Sequence, residues 1–394
     1  MKTEPVYIAS ATRTPLGSLQ GSLSSMSAPK LGAVAIEAAM KRAGLDPATV
    51  DQVYMGNVLS AGVGQAPARQ AAVFGGVPKS APCTTISKVC GSGLEAVVMG
   101  ARQVALGDSN VVLTGGMESM SNVPYYLPKV RTGLRMGDSQ VQDGMILDGL
   151  WDPYNKFHMG SAGEICCREH DLTRAAQDEY AAESYRRARE AQAAGKFKAE
   201  ITAVNVPQRR GDDLVVAEDE EPNSGDPSKF GKLRPAFEKD GTITAANAST
   251  INDGAAAVVL ASEAAVKAQK LTPIARILGW EGAAQEPEWF TTAPVKAIDR
   301  LMAKLSMTKS DFALWEINEA FSCVAMICNR MLELDPTTVN VNGGAVALGH
   351  PIGASGCRIL VTLLYALEQR KLQRGVATLC IGGGEAVAVA VERL

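Results

Sequence analysis

The stretch TTISKVCGSGLEAVVMGARQVALGDSNVVLTGG, residues 84–116, decides the fold. It reads as a strand ending at Cys90, then a helix to about Leu106 that Gly107 stops, then a strand from Asn110 to Thr114 closed by Gly115-Gly116. A second stretch copies it. Val339 to Asn342 leads through GGAVALGHPIGASG into a helix over Arg358 to Gln369, and the strand VATLCIGGG again runs into glycines. Strands at Gln52 to Gly56 and Phe312 to Ile317 stand at matching places upstream. Duplication of one βα unit accounts for the pattern, and it predicts equivalent places for Cys90 and Cys380.

Outward from this unit, short apolar runs alternate with helical patterns, which indicates an α/β architecture. VYIAS, from Val6 to Ser10, reads as a buried strand. Leu31 to Ala43 reads as a helix ended by Gly44 and the turn Asp46-Pro47, and a short helix is expected around Arg69. The segment from Ser119 to Asn247 differs. It is richer in charge, contains EDEEP at Glu218 to Pro222, and holds a helix from about Arg174 to Ala194 that Thr173 caps and Gly195 ends. It reads as a large insertion beside a duplicated core, suited to a lid or a ligand-binding element.

Apolar residues make up 46% of the 394 and charged residues 21%, so the chain can bury a large core and is not disordered. A net charge of -3 with interspersed signs offers no footprint for nucleic acid or an anionic membrane. The eight cysteines form no CxxC pair and only three histidines are present, so no metal site is expected. So few cysteines in so long a chain make no disulfide scaffold, which suits a reducing compartment. The opening MKTEPVYIASATRTP has the form of neither a signal nor a transit peptide, and the closing ERL is not the SKL address. No run reaches membrane-spanning length. A cytoplasmic location is the expectation.

Several residues are candidates for chemistry. Cys90 stands at a helix start, where the dipole favours a thiolate, and Gly91-Ser92 leave room for an acyl group. It is expected to be the thiol most reactive to iodoacetamide near neutral pH. Gly91-x-Gly93-x-x-Ala96 also fits a loose dinucleotide fingerprint, with Glu118 about where the ribose acid belongs. Gly115-Gly116 intervenes, however, and this is not the first βα turn, so the signal is weak. His350 lies in the glycine-rich GHPIGASG, a run too broken for helix or strand, where a ligand can come close. Cys380 runs into Gly382-Gly383-Gly384, whose free N–H groups suit an oxyanion hole. Asn318 falls at the carboxyl end of a strand, where α/β sites collect. Cys166-Cys167 reads as core filling and EDEEP as a solvated acidic turn. Met117, Met120 and Met159 read as core or as the wall of an apolar channel.

Together, KVCGSGLEAV, GGMESMSN, HMGSAGE, NASTINDGAAA, INEAF, GGAVALGHPIGASG and CIGGG resemble the thiolases over essentially the whole chain, and most closely the acetyl-CoA C-acetyltransferases. The resemblance implies a duplicated βαβαβαββ core. Its two pseudo-symmetric halves would be layered α/β/α/β/α, with a large α/β loop-domain insertion. The first half would comprise residues 1–120 plus 248–270, the loop domain 121–247, and the second half 271–394. It further implies Cys90 as the acylated nucleophile and His350 as its base, with Cys380 moving the α-proton. Asn318, through a water, and His350 would stabilise the enolate, and the N–H groups of Cys90 and Gly382 would hold the acyl oxygen. Leu150, His158, Met159, Phe237, Ala248, Ser249, Ala320 and Phe321 would line the pantetheine arm. Acetyl-CoA, acetoacetyl-CoA and CoA would be substrates and products, no cofactor or metal would be needed, and the protein would form a homodimer or homotetramer.

Two places depart from the family pattern. Gly384-Glu385-Ala386 stands where many biosynthetic members read GGGMG, implying a local rearrangement with Gly382 intact. Phe290, in EPEWF, resembles the eukaryotic-type acetoacetyl-CoA thiolases rather than bacterial polyester-pathway relatives, which commonly carry methionine. The competing readings are a degradative 3-ketoacyl-CoA thiolase of broader chain length and a catalytically silent acyl-CoA or lipid carrier.

Overall fold

The computed structural model describes residues 4–394. From the amino end run β1 (Val6–Arg13), β2 (Gly17–Ser18), α1 (Ala28–Ala43), β3 (Gln52–Gly56), α2 (Pro67–Phe74), β4 (Cys83–Ile86), α3 (Ser92–Leu106) and β5 (Val111–Ser119). Helices α1 and α3 stop where expected, at Gly44 and Gly107, both with positive φ. The next segment adds short ribbons, short helical turns and two α-helices. These are β6 (Tyr125–Tyr126) with β7 (Gln142–Asp143), β8 (Trp151–Asp152) with β9 (Phe157–His158), α4 (Met159–Glu169), α5 (Arg174–Ala193), and β10 (Val204–Val206) with β11 (Leu214–Val216). Thr173 Oγ1 caps α5 by accepting from Ala176 N. Then follow β12 (Asn252–Ala261), α6 (Glu263–Gln269), β13 (Ala275–Ala284), α7 (Ala293–Leu305), β14 (Leu314–Ile317), α8 (Ser322–Leu332), α9 (Ala345–Leu348), α10 (Ile352–Arg370), β15 (Arg374–Ile381) and β16 (Glu385–Arg393).

Strand pairing makes the duplication explicit. The order is β14-β15-β16-β13-β1-β12-β5-β3-β4, with β2 beside β12. In the first half β3 is parallel to β5, β5 antiparallel to β12, and β12 antiparallel to β1. In the second half β14, β15, β16 and β13 repeat those three relations. Within the sheet, Val6, Tyr7 and Ile8 of β1, paired with β13, join the halves. Helices α3 and α10 pack on one another and on strands of both halves, forming a middle layer, while α1 lies outside the first half and α7 outside the second. Strands β5 and β12 are buried along their whole length, as sheets covered on both faces require.

Register corrects one expectation. Gly56 pairs with Gly116 as Ile317 pairs with Thr378, so Glu118 is the counterpart of Cys380 and Asn57 the counterpart of Asn318. Cys90 and His350 each stand two residues before their helix, α3 and α10. The partner of Cys90 in the duplication is therefore His350, not Cys380.

Boundaries also moved. Strand β4 stops at Ile86 and leaves Cys90 in a turn. Strand β5 continues through Gly115-Gly116, which are small because the main chains at Ala256 and Gly353 press against them. Helix α10 starts at Ile352, six residues before the expected Arg358, so IGASG is helical. Its glycines are tolerated because the helix start is wedged against other backbone: a Cβ on Gly356 would strike Leu94 of α3.

EDEEP is not a solvated turn. Asp219 is buried and grips Arg13 at 2.7 and 2.9 Å, while Glu200 takes the Arg13 Nε at 2.6 Å. Glu220 accepts from Ser18 N and Ser22 N, and Glu221 is buried too. A fully buried charge such as Arg13 needs partners, and the inserted segment supplies them, tying itself to the core.

Candidate active site

Four turns converge between the halves. Cys90 follows Val89, whose φ of 44° is a left-handed conformation rarely adopted by a β-branched residue. Ser92 fixes this turn: its Oγ accepts from Lys88 N at 2.8 Å and donates to Val89 O at 2.7 Å. Gly91 has no room for a side chain because Ile381 of β15 fills that space. The carboxyl end of β15 thereby comes against the Cys90 turn, and the Gly382 N–H reaches the Cys90 thiol.

Burial is the dominant influence on that thiol and pushes it up to about 11, against the pull of the Gly382 and Cys90 N–H groups. This shift runs opposite to the thiolate that a helix start favours. Desolvation outweighs the helix dipole, whose effect on a charge is only ~0.3–1 kcal/mol in ordinary settings.

His350 lies between Gly349, at φ 109°, and Pro351, the residue before α10. Its main-chain N–H donates to Asn252 Oδ1 at 3.0 Å. Nδ1 is 2.5 Å from Ser355 Oγ, and that hydroxyl donates to Pro351 O at 2.9 Å. With its one proton so placed, Ser355 must accept from Nδ1–H. This leaves the Nε2 lone pair toward Asn318 Nδ2, 3.4 Å away. Burial first, and then the Arg358 charge, lower the imidazole to about 3, so it is neutral and ready to accept a proton.

Asn318 continues β14, its N–H held by Thr378 O at 3.1 Å, and its buried Oδ1 has no partner. Cys380 is completely buried in β15, and desolvation, followed by the neighbouring Cys90, pushes its thiol well above the ordinary range. Beyond it, Gly383 and Gly384 at φ 91° and 83° turn the chain into β16. Glu385 there forms an ion pair with Lys88 across the two turns.

Models of the thiolase N-terminal and C-terminal domains match residues 6–264 and 271–393. The chain belongs to the thiolase family. This thiolase is 49% identical to an acetyl-CoA acetyltransferase of Schizosaccharomyces pombe, over 100% of both chains. It is 51% identical to the cytosolic acetyl-CoA acetyltransferase ERG10 of Gibberella zeae, over 99% of this chain and 98% of the relative. The crystal structure of the Acat5 thiolase of Ascaris suum in complex with coenzyme A superposes with a TM-score of 0.94 at 45% identity, covering 99% of this chain and all of that one.

A cavity of about 600 Å³ opens over the Cys90 turn, floored by Val89, Met159, Gly382 and Gly383. Leu147, Gly149, Trp151 and Tyr154 form its rim, so the neighbours of Leu150 face it rather than Leu150 itself. His158 caps α4 by accepting from Gly160 N at 3.0 Å and stacks on Phe237 at 4.7 Å. Phe237 meets Phe321 edge-on at 5.9 Å, and Phe321 meets Phe290 at 6.4 Å. Ala248 bridges to Phe321, and Ser249 N donates to Ala320 O at 3.0 Å. These residues contact one another in a chain, and of the predicted pantetheine-arm residues Met159 lines the cavity.

Met117 and Met120 are core residues, and of the three methionines only Met159 reaches the cavity. Cys166 and Cys167 are buried beside Cys323 in the core. Ser355, Asn252 and the rim Trp151-Asp152-Pro153-Tyr154 escaped the sequence reading. The rim carried a signal in two exposed aromatic residues around an Asp-Pro turn, and Ser355 carried none.

The dinucleotide reading fails. Glu118 is fully buried and saturated with protein donors, and backbone of α10 fills the space beside Gly93. Among the described residues no His, Cys, Asp or Glu group is arranged to hold a metal, and no helix is long and apolar enough to cross a membrane.

Proposed function

We propose that this thiolase is an acetyl-CoA C-acetyltransferase that condenses two acetyl-CoA into acetoacetyl-CoA and CoA, and runs the reverse thiolysis. The observation that carries the reading is the approach of two thiols, Cys90 and Cys380, and of a neutral imidazole, His350, to Asn318, next to a cavity lined by Val89 and Gly382, neighbours of Cys90 and Cys380.

In the first half-reaction the Cys90 sulfur attacks the acetyl carbonyl while its proton passes to His350 Nε2. The N–H groups of Cys90 and Gly382 hold the oxyanion. Collapse expels CoA sulfur, which takes the proton from the imidazolium and leaves S-acetyl-Cys90. In the second, Cys380 passes its proton to His350 and then takes the α-proton of a second acetyl-CoA. The imidazolium and Asn318 stabilise the enolate oxygen, with the unpartnered Oδ1 of Asn318 able to accept from a bridging water. The enolate carbon bonds the acetyl carbonyl, the Cys90–acetyl bond breaks, and His350 returns the proton to Cys90. A high-pKa thiol suits this task, because its thiolate is a strong base.

CoA is substrate and product here, and these steps call on no resident cofactor. We assign residues 121–247 to a loop domain that holds the pantetheine arm along Met159, His158, Phe237, Ala248, Ser249, Ala320 and Phe321. Phe290 backs the acyl end, and Leu150 acts through its neighbours. A homodimer or homotetramer fits the half-exposed edge strand β4 and the apolar Leu127, Val130, Leu134 and Met136 on the surface. A cytoplasmic location accords with the cytosolic relative.

CoA-dependent loss of acetoacetyl-CoA absorbance, run beside 3-ketohexadecanoyl-CoA, tests the assignment. Preference for the four-carbon substrate is expected. Preference for the long chain would keep the chemistry and move the enzyme to fatty-acid degradation, and no turnover of either would leave a silent carrier.

A further inference from the structure

Glu118 takes no part in the steps above, yet it is fully buried beside Cys90. It occupies in the first half the register position that Cys380 occupies in the second, with Asn57 where the second half has Asn318. Its carboxylate is saturated. Oε1 accepts from Asn57 Nδ2 at 2.6 Å and from Leu59 N at 3.2 Å, and Oε2 accepts from Val58 N at 3.0 Å and from Gly353 N at 2.8 Å.

The Gly353 bond crosses between the halves. Helix α10 has no side-chain cap of its own, because its N-cap is Pro351. The first turn of a helix leaves N–H groups without partners and favours a negative charge. Glu118 supplies both acceptor and charge from the other half of the chain. Access to this position depends on missing side chains. A Cβ on Gly56 would come within 2.7 Å of Gly353 O, one on Gly93 within 3.0 Å, and one on Gly116 would collide with it. Three residues before Gly353 stands His350, and Val58, held by the same carboxylate, lines the cavity.

We propose that Glu118 is a positioning residue for the condensation site, capping α10 across the two halves so that the His350 turn is held against the Cys90 turn. The inference rests on the thiolase chemistry assigned above. A second consequence follows from the charge: Glu118 raises the Cys90 thiol, although less than burial does, while the N–H groups of Gly382 and Cys90 lower it. Burial lifts the Glu118 carboxyl itself to about 7, with its four donors pulling the other way, so it is ionised in the alkaline range where Cys90 titrates.

The test uses the full-length E118Q and E118D proteins, with two readouts. Gln puts an N–H₂ against backbone donors and removes the charge, whereas Asp keeps the charge and shortens the reach. In acetoacetyl-CoA thiolysis, E118Q is expected to lose ~10- to ~100-fold in kcat with KM little changed, as misplacement of catalytic groups does. The pH midpoint of Cys90 alkylation by iodoacetamide is expected to fall in E118Q and to stay near wild type in E118D, while kcat of E118D also drops. If E118Q does not fold, the kcat of E118D decides, and wild-type turnover in E118D overturns the proposal. A folded E118Q with wild-type kcat, or with an unmoved alkylation midpoint, overturns it as well. Failure of the wild-type enzyme to turn over acetoacetyl-CoA would instead sink the functional reading, while the alkylation midpoint still reports the charge beside Cys90.

Discussion

At the end of β5 the chain carries Glu118, and at the same register of β15 it carries Cys380. Asn57 and Asn318 stand beside them in equivalent places, each with an unpartnered Oδ1. What differs is the satisfaction of the neighbours. Glu118 receives four hydrogen bonds, one of them from Asn57, so both side chains are committed to holding backbone. Cys380 is completely buried and its thiol stands well above the ordinary range, while Asn318 Nδ2 turns to His350. One scaffold position has become a fastener in the first half and, on the proposed mechanism, a proton carrier in the second. A saturated polar group stabilises structure, whereas an unsaturated buried one retains free energy for substrate.

The largest effect should come from the reactive half. Cys380→Ala is expected to lower condensation by ~10³-fold or more, since it removes the group moving the α-proton. Retained condensation would assign proton transfer elsewhere. Asn318→Ala should cost ~10²-fold in kcat, because the water that donates to the enolate oxygen loses its anchor, and Asn57→Ala clearly less, with its main effect on melting temperature. Equal kinetic losses at the two asparagines would erase the distinction between the halves.

The two titrations give intermediate effects. With Cys90 held up to about 11, its alkylation by iodoacetamide should rise about tenfold per pH unit from neutrality. A plateau near pH 7 would mean the thiolate is already formed. His350 is lowered to about 3 from an ordinary 6.5, so the unfolded chain binds more protons between those values. Its contribution to stability is full above pH 6.5 and is lost as pH falls toward 3. In denaturant titrations, His350→Asn should flatten this part of the pH profile. The smallest effect is expected at Lys88–Glu385, a partly exposed pair whose removal in Glu385→Met should change stability by no more than ~1 kcal/mol.

Much of the scaffold was legible because local signals agreed with the tertiary outcome. Thr173, Gly44 and Gly107 bounded their helices as read, and β3 ran over the expected residues. Misreadings arose where long-range contacts overrode local ones. Glycines that look like breakers open α10 because they meet backbone of the other half, and Gly115-Gly116 sit inside a strand for the same reason. EDEEP looked solvated because Arg13, two hundred residues away, is invisible to local pattern. The equivalence of Glu118 with Cys380 was hidden because the two share no chemistry, whereas two cysteines invited a false match. Motif resemblance pointed to Cys90, His350, Asn318 and Cys380. The direction in which each thiol and the imidazole is shifted came only with burial, which acts on Cys90 against the helix dipole.

The division of labour between the halves is tested most directly by peptide mapping of the protein after incubation with acetyl-CoA. One acetyl group is expected on the peptide carrying Cys90, present equally in wild type and in Cys380→Ala. Acetylation of Cys380, or loss of Cys90 acetylation when Cys380 is replaced, would contradict it.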